Sequence, residues 1–333
     1  MMKSVTIPYR QETHGDFDAE WPVQRGVSGW WYITGYFSDP ADPGRLYSYQ
    51  FTVIKPSVFG FSPYILQLAL TDVQTGKHDF TQQMTLWHKD IYVTWDAVHY
   101  LSLAHLKREP NQMLLTAQTN SFEFHLTLNK FKGAFWHGDD GVLVMGGAQD
   151  PRRRTVYYSY TNMPTTGQVV IHDPEGKSKT MQVTGKSWFD RQWGPYSIIK
   201  ANTHWEWFSL RFFDDEEVML FAFPQCPYYD GTYIGKGGER RLVRDYTCTP
   251  QGFVQAAGMT FSKGWDLTMP GVKEEKYEIR PLTDGQLNLA YFELIAGIYN
   301  PAGQQVGLCM VELLPGARNP QNKINFLNLF KKV

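Results

Sequence analysis

The sequence predicts an all-β protein built as two antiparallel β-domains, and three observations carry that expectation. Short aromatic or β-branched runs with period-two patterning recur along the chain. Turn residues (Asp, Asn, Pro and Gly) separate most of them. Aromatic residues reach 15%, and aromatics both favour strands and line apolar pockets. A single sheet of so many strands would split, and 333 residues suffice for two ordinary domains.

Residues 1 to 28 form an irregular, charged lead-in. Strands then follow at Trp30 to Phe37, Leu46 to Ile54, Tyr64 to Thr71 and Phe80 to Trp87, with Asp42-Pro43-Gly44 and the Pro56 to Pro63 segment among the breaks. Thr94 to Arg108 is the one stretch with helical spacing, through Ala97, Leu101, Ala104 and Leu106, and Pro110 stops it. Strand patterning resumes at Gln112 to Gln118 and is cleanest at Phe122 to Leu128, where Phe122, Phe124, Leu126 and Leu128 share a face. Val142 to Met145, Thr155 to Tyr160, Gln168 to His172 and Lys179 to Thr184 continue it. Beyond the centre, His204 to Phe213 and Glu217 to Phe223 read as a hairpin with an acidic tip, and further strands run to Leu314. The domain boundary falls between Asp173 and Trp188, giving domains 1–178 and 179–333 with the 185–194 segment at their interface.

Charge excludes several function classes. With 32 basic and 33 acidic residues, the chain has no global attraction for nucleic acid or an anionic membrane. Cys226, Cys248 and Cys309 are far apart and odd in number, which argues against a disulfide scaffold or a zinc–thiolate site. No apolar run is long enough for a signal peptide or a bilayer span, so a cytoplasmic protein is expected. The histidines form no ligand-spaced motif, the glycine pairs lack the context of a phosphate loop, and no Gly-x-Ser-x-Gly elbow occurs. Neither a metal nor a cofactor is expected.

The chain centres on Gly185-Lys186-Ser187-Trp188-Phe189-Asp190-Arg191-Gln192-Trp193-Gly194. An acid and a base among bulky rings are costly to bury unless hydrogen-bonded, so this pair either joins two layers or works in a dry pocket. The stretch resembles the V-x-G-x-(A/S)-W-(M/F)-D-(R/H)-(E/Q)-W-G signature of the carotenoid 1,2-hydratase (hydroxyneurosporene synthase) and AttH-like family. Gly29-Trp30-Trp31-Tyr32-Ile33-Thr34-Gly35 is similar to the family's early E-W-W-Y-x-x-G segment. Tyr157-Tyr158-Ser159, Trp207-Phe208-Ser209-Leu210 and Gly307 to Leu313 fall where further family blocks are expected. The resemblance implies two lipocalin-like β-barrels, as in lipocalin-like Diels-Alderases, and chemistry on isoprenoid double bonds without metal or redox cofactor. Gly29 replaces the usual Glu, and Gln192 stands where Glu is common.

Asp190 is the candidate general acid, since flanking Phe189 and Trp193 favour its desolvation. Arg191 points to the opposite strand face, where it either fixes structure or binds substrate with Trp188 and Trp193. His204 and Glu206 alternate with Trp205 and Trp207. His204 is a candidate for moving a proton near neutral pH, while Glu206 fits either substrate binding or a solvated polar face. Tyr158, as a hydroxyl donor, and Tyr228 are candidates beside their ordinary packing roles. Glu293 interrupts an apolar strand and is a candidate substrate contact. These groups suit cofactor-free acid–base chemistry on an apolar, unsaturated small metabolite by alkene protonation, then hydration, isomerisation or cyclisation. A pericyclase that only folds a polyene, and a non-catalytic carrier of an apolar metabolite, fit the same features.

Overall fold

A computed structural model describes residues 4–13, 15–57, 63–85, 90–147, 149–196, 204–289, 291–319 and 321–322. Among these the architecture is almost purely β, with one short 3₁₀ turn at Pro151–Arg153. Two large sheets, of 13 and 10 strands, curl about separate apolar cores, giving one nearly closed and one curled barrel. The described residues of 1–136 and 156–195 build the first compact unit, and those of 137–155 and 196–330 the second.

In the first sheet the order is His78–Thr85, Tyr64–Asp72, Asp42–Lys55, Ser28–Asp39, Ser178–Gly194, Arg154–His172, Phe122–Asn129 and Gln112–Gln118. Ala104–Arg108, Ala97–Tyr100 and Ile91–Val93 complete the path. Its centre is the long hairpin of Arg154–His172 and Ser178–Gly194, whose Asp173-to-Lys177 turn is closed by Asp173 accepting from the Glu175 and Lys177 amides. Two runs expected as separate strands, Thr155 to Tyr160 and Gln168 to His172, are thus one strand, irregular between Tyr160 and Met163. Ser178–Gly194 also pairs with Ser28–Asp39, so the first unit includes the central stretch and divides from the second after Pro195, not at 178/179. The Asp173 turn seemed a boundary because turn chemistry alone does not distinguish a hairpin tip from a domain end.

The helix expected over Thr94 to Arg108 is two strands, Ala97–Tyr100 and Ala104–Arg108, joined at Leu101, whose φ is 50°. Val98 and Tyr100 on one arm and Ala104 and Leu106 on the other are buried at period two, a pattern that mimics helical spacing when read through the turn. His99 stacks on Tyr92 at 4.1 Å and on His105 at 4.2 Å between ring centroids, side chains brought together by strand pairing. The Phe122 to Leu128 run forms as expected, with all four apolar residues in the first core. Of the expected Phe80 to Trp87 strand, His78–Thr85 is formed and Trp87 lies outside the described residues.

The second sheet runs Arg240–Leu242, Tyr228–Ile234, Glu217–Phe223, Glu206–Phe212, Gln305–Leu313, Tyr291–Tyr299, Lys276–Pro281, Met259–Thr268 and Thr247–Ala256. The Glu206–Phe212 and Glu217–Phe223 hairpin turns at Asp214 and Asp215, as its acidic tip suggested. Phe208, Leu220, Val311 and Leu294 are neighbours across successive strands and face the second core.

Candidate functional site

Alternation along Ser178–Gly194 sorts the central stretch onto two faces. Phe189 and Trp193 point into the first core with Trp21, Trp31, Tyr158 and Tyr160, and Arg191 lies among them. Trp188 and Asp190 lie on the other face.

Asp190 is 4% exposed. Its Oδ1 accepts from the Trp188 indole Nε1 at 2.6 Å and from the Ser159 hydroxyl in a short bond. Ser159 is delivered by register, directly opposite Asp190 on the neighbouring strand, while Trp188 comes from two residues back on the same strand. The same register extends the row through Tyr32, Thr52, Gln67 and Gln82, all buried. Within it the Gln67 amide donates to Gln82 at 2.7 Å, and on the next row the Gln50 amide donates to Thr52 at 2.7 Å. Burying so much polar surface is tolerable only because these groups bond to one another.

Arg191 is 1% exposed, and its hydrogen bonds among the described residues run to carbonyl and amide oxygens. Its guanidinium donates to the carbonyls of Trp21, Pro22, Trp30 and Gln192 and to the Gln24 side-chain oxygen, at 2.5 to 3.3 Å. Indole rings cover it, with Cζ 4.1 Å from the Trp31 centroid and 4.8 Å from that of Trp193. Burial pulls the guanidinium down to about 10, still a cation at neutral pH. The lead-in, expected to be irregular but carrying the paired short strands Thr6–Ile7 and Val23–Gln24, is thereby fastened to the sheet through Trp21, Pro22 and Gln24. Tyr158 lies directly across from Arg191, packs on Phe17, Trp136 and Trp193, and donates from its hydroxyl to the Phe17 carbonyl at 3.4 Å. Tyr158 and Asp190 therefore lie on opposite faces of one sheet and are not brought together.

In the second unit, His204 and Glu206 part company. His204 is buried with its ring against Pro315 and Gly316, and burial pushes it below the usual imidazole range against the opposing backbone bond at Pro315. Glu206, read from sequence as a solvated or substrate-facing group, is 1% exposed at the mouth of the second barrel. It accepts from Ser262 Oγ at 2.5 Å and, in a bidentate pair, from Arg318 Nε at 2.9 Å and Nη2 at 2.8 Å. The expectation of a solvated face fails because the strand turns Glu206 to the same side as Phe208 and the core.

The opposite face of that sheet carries another row, Asp230–Phe221–Trp207–Glu312–Glu293, with each neighbour in direct register. Tyr228 stands beside it, opposite Phe223. Trp205 Nε1 donates to Glu312 at 2.8 Å, and the Asn288 amide donates to Glu293 at 3.0 Å. Asp230 takes the Tyr228 hydroxyl at 3.1 Å and Arg244 at 3.2 Å. Burial raises Asp230 above the usual carboxylate range, with Arg244 opposing. Its Oδ1 and the neighbouring Thr232 hydroxyl have no partner among the described residues.

The sequence thus placed Trp207, Tyr228 and Glu293 on one surface without anticipating it, and missed Ser159, Ser262, Arg318 and Asp230. Ser159 sits in the singled-out Tyr157 to Tyr160 run, so strand register was the missing signal. For Arg318, nothing local marks it as a partner of Glu206. Among the described residues no group of His, Cys, Asp and Glu is placed to hold a metal ion, and no helix is long and apolar enough to cross a membrane.

Comparison with known proteins agrees with this architecture. The chain resembles the solved structure of a putative AttH from Nitrosomonas europaea, with TM-score 0.78, 20% identity and coverage of 92% of this chain and 98% of that one. Kievitone hydratase from Nectria haematococca follows with TM-score 0.68, 15% identity and coverage of 90% and 92%. CghA, solved with Sch210972, gives TM-score 0.51, 10% identity and coverage of 95% and 94%. At these identities the likeness is one of fold. No curated protein matches the chain. The AttH-like family profile matches residues 3–316, so the chain belongs to the AttH-like family.

Proposed function

We propose that this protein is a cofactor-independent acid–base enzyme acting on an apolar, unsaturated substrate, with Asp190 as the proton donor. The observation that carries the reading is the environment of Asp190. Its carboxyl is buried, and Oδ1 already accepts from Trp188 and Ser159. In the acid form the proton then resides on Oδ2, held in a fixed direction by a strand and a locked indole. The resemblance of the 185–194 stretch to the carotenoid 1,2-hydratase signature and the fold shared with kievitone hydratase support an isoprenoid or polyene substrate.

The step balances simply. The Asp190 proton adds to one alkene carbon, leaving a cation on the other and a carboxylate on Asp190. Attack by water followed by loss of a proton gives the alcohol. Loss of a neighbouring C–H proton gives the isomer, and attack by a second alkene closes a ring on a new cation, which then loses a neighbouring C–H proton. In each case the released proton restores the acid. Trp188 serves as positioning residue, and Ser159 as its counterpart from the neighbouring strand. Arg191, Trp193 and Tyr158, on the other face, hold the strand in place. His204, Glu206, Trp207, Tyr228 and Glu293 belong to the second unit, and the step as written does not call on them.

The test is turnover by wild type and Asp190→Asn on a panel of prenylated phenols and acyclic polyenes in ¹⁸O-labelled or deuterated water. Hydration adds labelled oxygen, isomerisation incorporates deuterium, and cyclisation changes retention without changing oxygen content. Asp190→Asn is expected to lower turnover by at least about a hundredfold, the scale of general-acid catalysis, with ligand affinity changed less than about threefold. A wild type that binds these probes and returns them unchanged would establish a carrier. Product formation that survives in Asp190→Asn would point to a pericyclase-like role for the scaffold.

A further inference from the structure

The second barrel holds a feature that the proton-donating step does not use. At its mouth an open pocket of about 200 Å³ is walled by Phe261, Leu313 and Leu314, with Glu206, Thr260, Ser262, Arg318 and Asn319 as its polar lining. The chain leaving Gln305–Leu313 crosses this mouth and is fastened twice. Arg318 reaches Glu206 and the Cys248 carbonyl, and the Asn322 amide donates to the Thr260 carbonyl at 2.9 Å. Phe253 lines the pocket at its rim with 60% of its surface exposed.

We propose that this pocket is a binding site for a small neutral amphipath: an apolar, preferably aromatic body with one hydroxyl or carbonyl oxygen. The head-group chemistry follows from the Glu206–Arg318 pair. Arg318 Nε and Nη2 are engaged by Glu206 and Cys248, whereas Nη1 makes no hydrogen bond among the described residues. That nitrogen is the donor left for a ligand oxygen. The pair is neutral as a unit. A carboxylate ligand would crowd against Glu206, and an ammonium would crowd against Arg318, so a neutral acceptor is selected. The volume admits on the order of ten heavy atoms at the packing density of protein interiors. Leu313, Leu314 and Phe261 supply the apolar walls, and Phe253 closes over the body of the guest. The lining residues all belong to the second unit and do not include Asp190.

The experiment uses the full chain and three matched probes, 2-phenylethanol, phenylacetate and phenethylamine, followed by calorimetric titration. None carries an isolated alkene, so the Asp190 step cannot consume them. Saturable binding of the alcohol is expected, with the acid and the amine each at least tenfold weaker. Phe253→Ala is expected to weaken the alcohol about tenfold. The double variant Glu206→Met with Arg318→Met, which replaces the pair by apolar chains of similar length, should bring all three probes within about threefold. Asp190→Asn should bind the alcohol like wild type, which separates failure here from failure of the proposed enzyme activity. No saturable binding of the alcohol, equal affinity for the three probes in wild type, or discrimination that persists in the folded double variant would overturn the proposal.

Discussion

Two guanidinium groups, Arg191 fully buried and Arg318 partly so, show two ways of holding a cation away from bulk water. Arg191, in the first unit, is surrounded by carbonyl oxygens and indole faces. Arg318, in the second, meets the Glu206 carboxylate edge to edge. The outcomes are opposite. Burial lowers Arg191 to about 10, whereas for Arg318 the Glu206 carboxylate outweighs burial and the guanidinium is raised. Carbonyl dipoles orient a cation without neutralising it, so Arg191 keeps a net charge and holds many chain segments at once. A carboxylate neutralises its partner, and the resulting unit can line a pocket without dictating the charge of its contents.

The largest test of this contrast is Arg191→Met. It strands the carbonyls of Trp21, Pro22 and Trp30 in a dry core, and urea denaturation should show a loss of about 4 kcal/mol. Arg191→Lys should recover less than half, because one ammonium cannot span acceptors on opposite sides of a planar fork. A loss below about 1 kcal/mol for Arg191→Met would mean that the lead-in is held by something else.

Next comes the pair in the second unit. Glu206→Met alone leaves Arg318 beside apolar walls and should cost about 3 kcal/mol, the lower end for a broken buried pair because Arg318 keeps 22% of its side chain exposed. Replacing both partners by Met should bring stability back to within about 1 kcal/mol of wild type in the same denaturation series. Equal losses in the single and double variants would show that the two residues act separately.

The smallest effect sharpens the role of the Arg191 charge. Lys55 donates to the Val27 carbonyl at 2.8 Å, and burial, helped by the Arg191 cation, lowers its ammonium to about 8. In the unfolded chain the same group titrates near 10.4. Between these values the unfolded state binds more protons, so stability rises with pH and is lost again as pH falls through 8. Between pH 7.5 and 10 the gain should be about 2 kcal/mol, and Lys55→Met should abolish that increment. A Lys55→Met variant with the wild-type pH profile would relocate the titration to another group.

Much of the fold is written locally. The Phe122 to Leu128 alternation and the acidic tip after Phe213 mark their strands without any knowledge of neighbours. The 94–108 segment misleads because two short strands around Leu101 place apolar residues at helical intervals. Asp190 stood out as an acid among rings, yet its donors divide by origin: Trp188 is local, whereas Ser159 is set by the pairing of the long hairpin. Glu206 shows the limit most clearly. Its sidedness follows from Phe208, two residues on, but the decisive partner, Arg318, arrives from a distant turn that carries no pattern of its own. Local periodicity fixes which way a side chain points, and only tertiary pairing determines what it meets.

The sidedness of the central strand also bears on how this lineage can change. Asp190 and Arg191 are sequence neighbours with opposite destinations, one beside Ser159 and the other beneath Trp31. Deleting or inserting a single codon in this segment would exchange those destinations along the rest of the strand, sending the carboxylate into the apolar core and the guanidinium out of it. Point substitutions leave that partition intact. Length changes here survive only with a bulge that absorbs the extra residue, so the segment is open to chemical tinkering and closed to resizing.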